Sequence, residues 1–173
     1  FRAQLVAVAD DDHRGQLAER LKLAPEQVAT FASWARLVRS AASMDGVVLV
    51  DAPPEGPIPG VPWPNARLDS ETSARALAHW TQHRPRFMHL ALLDMDEWAH
   101  AKEHARMIGA LEAADATIAR VLEELAQLPE DERKLTTVLV TTDHGRGLGP
   151  LWPDHGPYDA ARTIWLLAIG EYF

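Results

Sequence analysis

Five residues stand out for what they could bind. Asp96 and His100 lie four apart in Asp94-Met-Asp-Glu-Trp-Ala-His100. Asp143 and His144 are adjacent in Thr141-Thr-Asp-His-Gly-Arg-Gly147, and His155 sits in Trp152-Pro-Asp-His-Gly-Pro157. If the first segment turns helically, the four-residue spacing puts Asp96 and His100 on one face, where they can share one ion. Carboxylate oxygens and imidazole nitrogens are the donors that zinc accepts, and manganese accepts oxygen-richer versions of the same set. Each piece also has a plainer explanation. Acids favour the first turn of a helix, Asp and Gly are common turn residues, and His155 stands in a proline-flanked loop. What joins the pieces is position. All of them follow predicted strands at one sheet edge, and ligands bind at the carboxyl ends of strands in open α/β sheets.

Those strands are legible in the hydrophobic pattern. Phe1 to Ala9 reads as a strand ending in Asp10-Asp11-Asp12, followed by a helix from His13 to Leu23. Val28 to Phe31 is a strand, with Ser33 placed to cap a helix from Trp34 to Ala42. Val47 to Val50 is the next strand. Residues 52–67 form a surface connection, or else a lid or substrate-recognition loop, because Pro53, Pro54, Pro57, Pro59, Pro62 and Pro64 rule out helix and central strand. A helix runs from Ser70 to about Gln82 and stops at Arg84-Pro85. Arg86 to Leu93 is almost continuously apolar, as in a strand covered on both faces. A long helix from about Lys102 to Leu125 buries Ile108, Leu111, Ile118, Leu122 and Leu125 at three- and four-residue steps. The β-branched run Thr136 to Thr142 and the apolar run Thr163 to Ile169 are the last two strands. Alternation of this kind predicts an α/β fold, a mainly parallel sheet with helices on both faces, in one domain spanning residues 1–173.

Composition narrows the partners. The 173 residues are 47% hydrophobic and 24% charged, with no apolar run long enough to span a membrane. The formal net charge is −8, with Lys and Arg scattered, so nucleic acid and anionic lipid are disfavoured by charge. An acidic protein that handles a small anionic substrate needs local positive charge, which bound divalent cations would supply. The chain has no cysteine, which excludes disulfides, thiolate zinc sites and a cysteine nucleophile. It leaves the compartment open. The chain opens at Phe1 rather than Met, which is compatible with an export signal removed upstream.

Taken in order, Asp96-Glu-Trp-Ala-His100, Asp143-His-Gly145 and His155-Gly156, with a long helix between the first two, resemble the alkaline phosphatase superfamily. The likeness is strongest to its phosphodiesterase and nucleotide-pyrophosphatase-like branches and covers Arg86 to Gly170. It implies a phosphoric ester hydrolase, of monoesters or diesters, that uses two divalent ions, zinc or else manganese. Asp96, His100 and His155 would hold one ion, and Asp143 and His144 would help hold the other. Two ions about 3.5–4 Å apart can clamp a phosphoryl group. A metal-dependent phosphomutase shares this core, and a sulfatase is a more distant relative.

The match departs from the family near its start. Asp10, Asp11 and Asp12 end a first strand but lack the usual following Gly, and the nucleophile segment has no counterpart. Thr30, Ser33 and Ser40 are the available hydroxyls, none in a matching context, so the catalytic nucleophile is unassigned. The resemblance therefore implies a domain incomplete near its N-terminal part, or shortened in its loops, or else a non-catalytic α/β binding domain that has lost its nucleophile. Arg146 would meet either an anionic ligand or an acidic side chain. Trp98 and Trp152 would either wall a pocket or pack locally. His13, His79, His83, His89 and His104 read as structural or solvated.

Overall fold

The computed structural model describes residues 18–36 and 48–170. The expected strand at residues 1–9, Asp10 to Asp12, His13 and most of the helix expected from Trp34 to Ala42 lie outside these residues.

The centre is β1 (Val28–Ala32), flanked by β2 (Leu49–Asp51) and β3 (Phe87–Ala91), both parallel to it. Small and β-branched residues make β1 a central strand, and all five of its residues are buried. Side chains alternate between its faces. Val28 packs with Ala18 and Val48 on one face, while Ala29 and Phe31 pack with Ala76 on the other. Helical segments therefore cover both faces: residues 18–21 on the first and α1 (Asp69–His83) on the second. Burying a side chain such as Phe31 contributes about 1.5–3 kcal/mol. This is the α/β architecture expected.

The register carries beyond β1. Ser33 N–H donates to the Ala91 carbonyl at 2.9 Å, and Arg67 N–H donates to the Ser33 carbonyl at 2.8 Å. The end of the proline-rich connection thus returns along the extension of β1, with Trp34 bridged to Ala66. Its interior is closed by Asn65, whose N–H and side-chain oxygen both engage Gly56, at 2.7 and 2.6 Å.

After β3 come α2 (Asp94–His100), α3 (His104–Ala126) and the short α4 (Glu130–Lys134), then β4 (Val138–Thr141) and β5 (Leu166–Ile169). Three expectations need correction. β3 was expected to be covered on both faces, yet all its residues are half-buried, because β1 and not β3 is the central strand. The apolar stripe of α3 is only partly buried: Ile108 is 37% and Leu111 49% exposed, whereas Leu125 is buried. Spacing identifies the apolar face of a helix but not whether a neighbour covers it. Finally, β4 and β5 pair antiparallel in a sheet of their own, with no strand pairing to β1–β3 among the described residues. Among those residues, no helix is long and apolar enough to cross a membrane.

Candidate metal centre

The helical turn anticipated for Asp96 and His100 is present as α2, which starts two residues after β3. Asp96 Oδ2 lies 3.3 Å from His100 Nε2, one turn along. Two imidazoles arrive from other elements. His144, just past β4, brings Nε2 to 3.7 Å from Asp96 Oδ1, and His155, in the loop before β5, brings Nε2 to 3.9 Å from Asp96 Oδ2. Ligand atoms of Asp96, His100 and His155 all lie within 4.8 Å of one another. The His155 ring stacks on His144 at 3.9 Å and meets His100 edge-on at 4.8 Å.

Glycine makes this convergence achievable. A Cβ at Gly145 would run into the Ala160 and Thr163 carbonyl oxygens, and one at Gly147 into Leu151. With no side chain there, Gly145 N–H donates to the Ala161 carbonyl at 2.8 Å and Gly147 N–H to the Asp154 carbonyl at 2.9 Å. These bonds hold the 154–161 stretch against the turn after β4, so His155 comes to rest beside His144.

The donor set fits a divalent cation. His144 Nδ1 lies 2.9 Å from the Gly145 carbonyl oxygen. A carbonyl only accepts, so a proton on Nδ1 satisfies this contact, and in that tautomer Nε2 would be the nitrogen offered to an ion beside Asp96. Fixing the second ring nitrogen in this way is how metal-binding histidines are oriented. Burial, then the neighbouring His144 and His100, push the His155 pKa below the ordinary histidine value. That favours the neutral imidazole, which is the ligating form. Zinc about 2.0–2.1 Å from each nitrogen brings adjacent donors roughly 3–3.5 Å apart. The observed spacings around Asp96 need only small side-chain rotations to reach that.

Asp143 stands apart. Its side chain is 90% exposed, and its Oδ1 accepts the His144 N–H at 3.0 Å. His144 Nε2 is 3.7 Å from that oxygen, so Asp143 reaches the cluster only along its edge. Arg146 has an acidic partner, and it is Asp96 itself. Nη2 donates to Asp96 Oδ1 and, at 3.0 Å, to the Asp96 carbonyl, while Nη1 donates to the Pro153 carbonyl at 2.8 Å. Both tryptophans make local contacts. Trp98 meets Trp63 edge-on at 4.7 Å with Arg106 over its ring, and Trp152 meets His104 at 5.4 Å. His79 contacts the Glu26 carbonyl through Nε2 at 2.8 Å and stacks on His83.

Of the hydroxyls, Thr30 and Ser33 are wholly buried and Ser40 lies outside the described residues. Most of the helix that Ser33 was expected to cap lies outside the described residues, and among those residues the hydroxyl engages other side chains. That group donates to Asp69 Oδ1 at 2.6 Å and lies 2.8 Å from Thr72 Oγ1. It belongs to a buried polar network along the carboxyl edge of the sheet, which no local spacing announces. Arg67 Nε donates to Thr72 Oγ1 at 3.0 Å, and its Nη1 donates to Asp51 Oδ1 at 2.5 Å. Asp69 accepts the N–H groups of Leu93 and Asp94. Burial raises the Asp69 pKa, against the pull of these hydrogen bonds. Burial, then the charge of Asp69, raises Asp94 to about 6.

No curated protein and no solved structure matches the chain. The family model of the Metalloenzyme superfamily matches residues 61–147, just over half of the 173 residues. The matched stretch takes in α2, α3, β4 and the Asp143-His144 turn, on which the resemblance to the alkaline phosphatase superfamily largely rests, and ends before His155. By that match the chain belongs to the Metalloenzyme superfamily.

Proposed function

We propose that this protein hydrolyses small anionic phosphoric esters, monoesters or diesters, with two divalent metal ions. Membership of a metalloenzyme superfamily sets the coarse function as metal-dependent catalysis. The observation that carries the narrower reading is the meeting of Asp96, His100 and His155, from two separate segments, within one cation-sized space. These three would hold one ion, zinc or else manganese. His144, at the rim of the same space, would serve a second ion with Asp143. Divalent ions there would act as Lewis acids on a phosphoryl group.

The chain's own residues would do the rest. The Nδ1–H of His144 keeps its ring oriented, and the lowered pKa of His155 keeps that imidazole neutral. Arg146 donates to Asp96 and so places a guanidinium beside the ligand group, where, once an ion takes that carboxylate, it would face an anionic substrate.

The test is metal analysis of protein purified without chelator, followed by turnover of p-nitrophenyl phosphate and bis(p-nitrophenyl) phosphate. Stoichiometric divalent metal, turnover abolished by chelator and restored by Zn2+ or Mn2+, and loss of both metal and turnover in Asp96→Ala are expected. Metal-free protein with full turnover would overturn the reading. The buried, bonded state of Ser33 and the burial of Thr30 favour a second reading, a metal-holding binding domain without catalysis. It predicts bound metal and tight phosphoester binding without turnover.

A further inference from the structure

We infer that Asp69, at the first position of α1, is the positioning residue that sets the metal-ligand pair Asp96 and His100. The inference rests on the metal reading above and extends it to a residue outside the candidate ligands.

α2 is only seven residues long, and Leu93 at its N-cap makes no side-chain cap. The first N–H groups of any helix lack partners within it and must find them elsewhere. Here the Leu93 N–H donates to Asp69 Oδ1 at 2.8 Å and the Asp94 N–H to Asp69 Oδ2 at 2.9 Å. Each carboxylate oxygen thus takes one backbone donor from the start of α2, across 24 and 25 residues of sequence. The link is reciprocal, since Asp69 N–H donates to Asp94 Oδ2 at 3.2 Å. The Ser33 hydroxyl holds Asp69 Oδ1 at 2.6 Å, and Ser33 directly continues the central strand. Asp69 is 8% exposed, so water does not compete for these bonds.

The consequence falls on geometry. Asp96 is the third residue of α2 and His100 the last, so any tilt of so short a helix moves both together. His144 and His155 come from elements beyond α3 and would not follow. Ligand sites need placement within about 0.5 Å. A carboxylate gripping two consecutive N–H groups fixes both the height and the direction of the helix start. Asn at this position keeps the shape but turns one acceptor into a donor that faces a backbone N–H.

The experiment uses the whole chain as wild type, Asp69→Asn, Ser33→Ala and, as a destabilised control away from the site, Val28→Ala. Three quantities are measured: melting temperature, Zn2+ Kd by competition with a chromophoric chelator, and the visible spectrum of the Co2+ form. Asp69→Asn is expected to weaken Zn2+ binding about tenfold or more, the range for residues that support metal ligands, and to shift the Co2+ bands. Val28→Ala is expected to lower the melting temperature while leaving Kd within about twofold and the Co2+ spectrum unchanged. Wild-type Kd and spectrum in Asp69→Asn would overturn the inference. If Asp69→Asn does not fold, Ser33→Ala decides: a severalfold weaker Kd supports the role, and an unchanged one overturns it. If the wild-type chain binds neither ion, the metal reading itself fails and the positioning role falls with it.

Discussion

Arg146 and Asp96 form the most consequential contact at the scale of single residues, because a metal would draw on the same carboxylate. Their side chains are 16% and 25% exposed, so the pair is shielded from water. In metal-free protein the guanidinium ties α2 to the loop that carries His155, through Asp96 on one side and the Pro153 carbonyl on the other. A hydrogen bond to a charged group contributes about 1.5–3 kcal/mol. Arg146→Gln should therefore lower the melting temperature of the metal-free protein by several degrees. The loss should shrink in saturating Zn2+, because the ion would take over the tie between Asp96 and His155. Equal losses with and without Zn2+ would show that Arg146 stabilises something other than this junction. Asp94 gives a second prediction, governed by pH. Its Oδ1 is buried without a hydrogen-bond partner, and burial with the nearby Asp69 charge raises its pKa to about 6. A carboxyl with a raised folded-state value contributes stability that is present below its unfolded value of about 3.9. That stability is lost as pH rises through 6. Asp94→Asn escapes the loss. Its gain at pH 7.5 should be on the order of 1 kcal/mol, after screening of a half-buried group. That corresponds to about 2–4 °C in melting temperature, falling to nothing near pH 4. A gain independent of pH would rule out ionisation as the cause.

Among the elements, the ones that local signals describe were legible nearly to the residue. The helix expected from Ser70 to Gln82 spans Asp69–His83, and the four-residue spacing of Asp96 and His100 does sit on a helix. Pro and Gly punctuation, caps and apolar spacing act over a few residues, so one sequence displays them. Pairings across long separations leave no such mark. Nothing near Ser33 reveals that its hydroxyl is spent on Asp69, and an N-cap role was the reasonable local expectation. The N-terminal half of α3 shows the same limit, since its apolar stripe was plain and its cover was not. At the candidate site, Asp96, His100 and His155 lie within one shared space and His144 lies beside Asp96. Asp143 is the most exposed of the five, at 90%, because side-chain direction after a strand depends on the turn that follows. Arg67 illustrates what these invisible pairings contribute. It is 5% exposed and reaches Asp51 at the end of β2, the Ala32 carbonyl at the end of β1, and Thr72 on α1. Arg67→Met would leave those acceptors facing a side chain without donors. The expected cost is about 3 kcal/mol, read as a fall of roughly 6–12 °C in melting temperature. A fall of under about 2 °C would mean that the network does not hold the two strand ends and α1 together.

Over the whole molecule, the two sheets are joined by no strand ladder among the described residues, and the surface of the second is sparsely covered. Trp165 and Leu166 are 52% and 64% exposed. The candidate centre lies where the halves meet. Asp96 and His100 belong to the helix after β3, whereas His144 follows β4 and His155 precedes β5. An ion held by Asp96, His100 and His155 would thus cross-link parts of the chain that the backbone pairs only within themselves. Binding to the folded form alone stabilises by mass action, about 4 kcal/mol at a free-ion concentration near a thousand times Kd. For a chain of this size that is a rise of roughly 10 °C in melting temperature. His155→Ala should lose most of the rise, because it removes the ligand contributed from the β5 side. Asp143→Ala should keep most of it, since its exposed carboxylate lies outside the shared group. A Zn2+-dependent rise of wild-type size in His155→Ala would place the ion elsewhere and separate the observed cluster from whatever metal the protein carries.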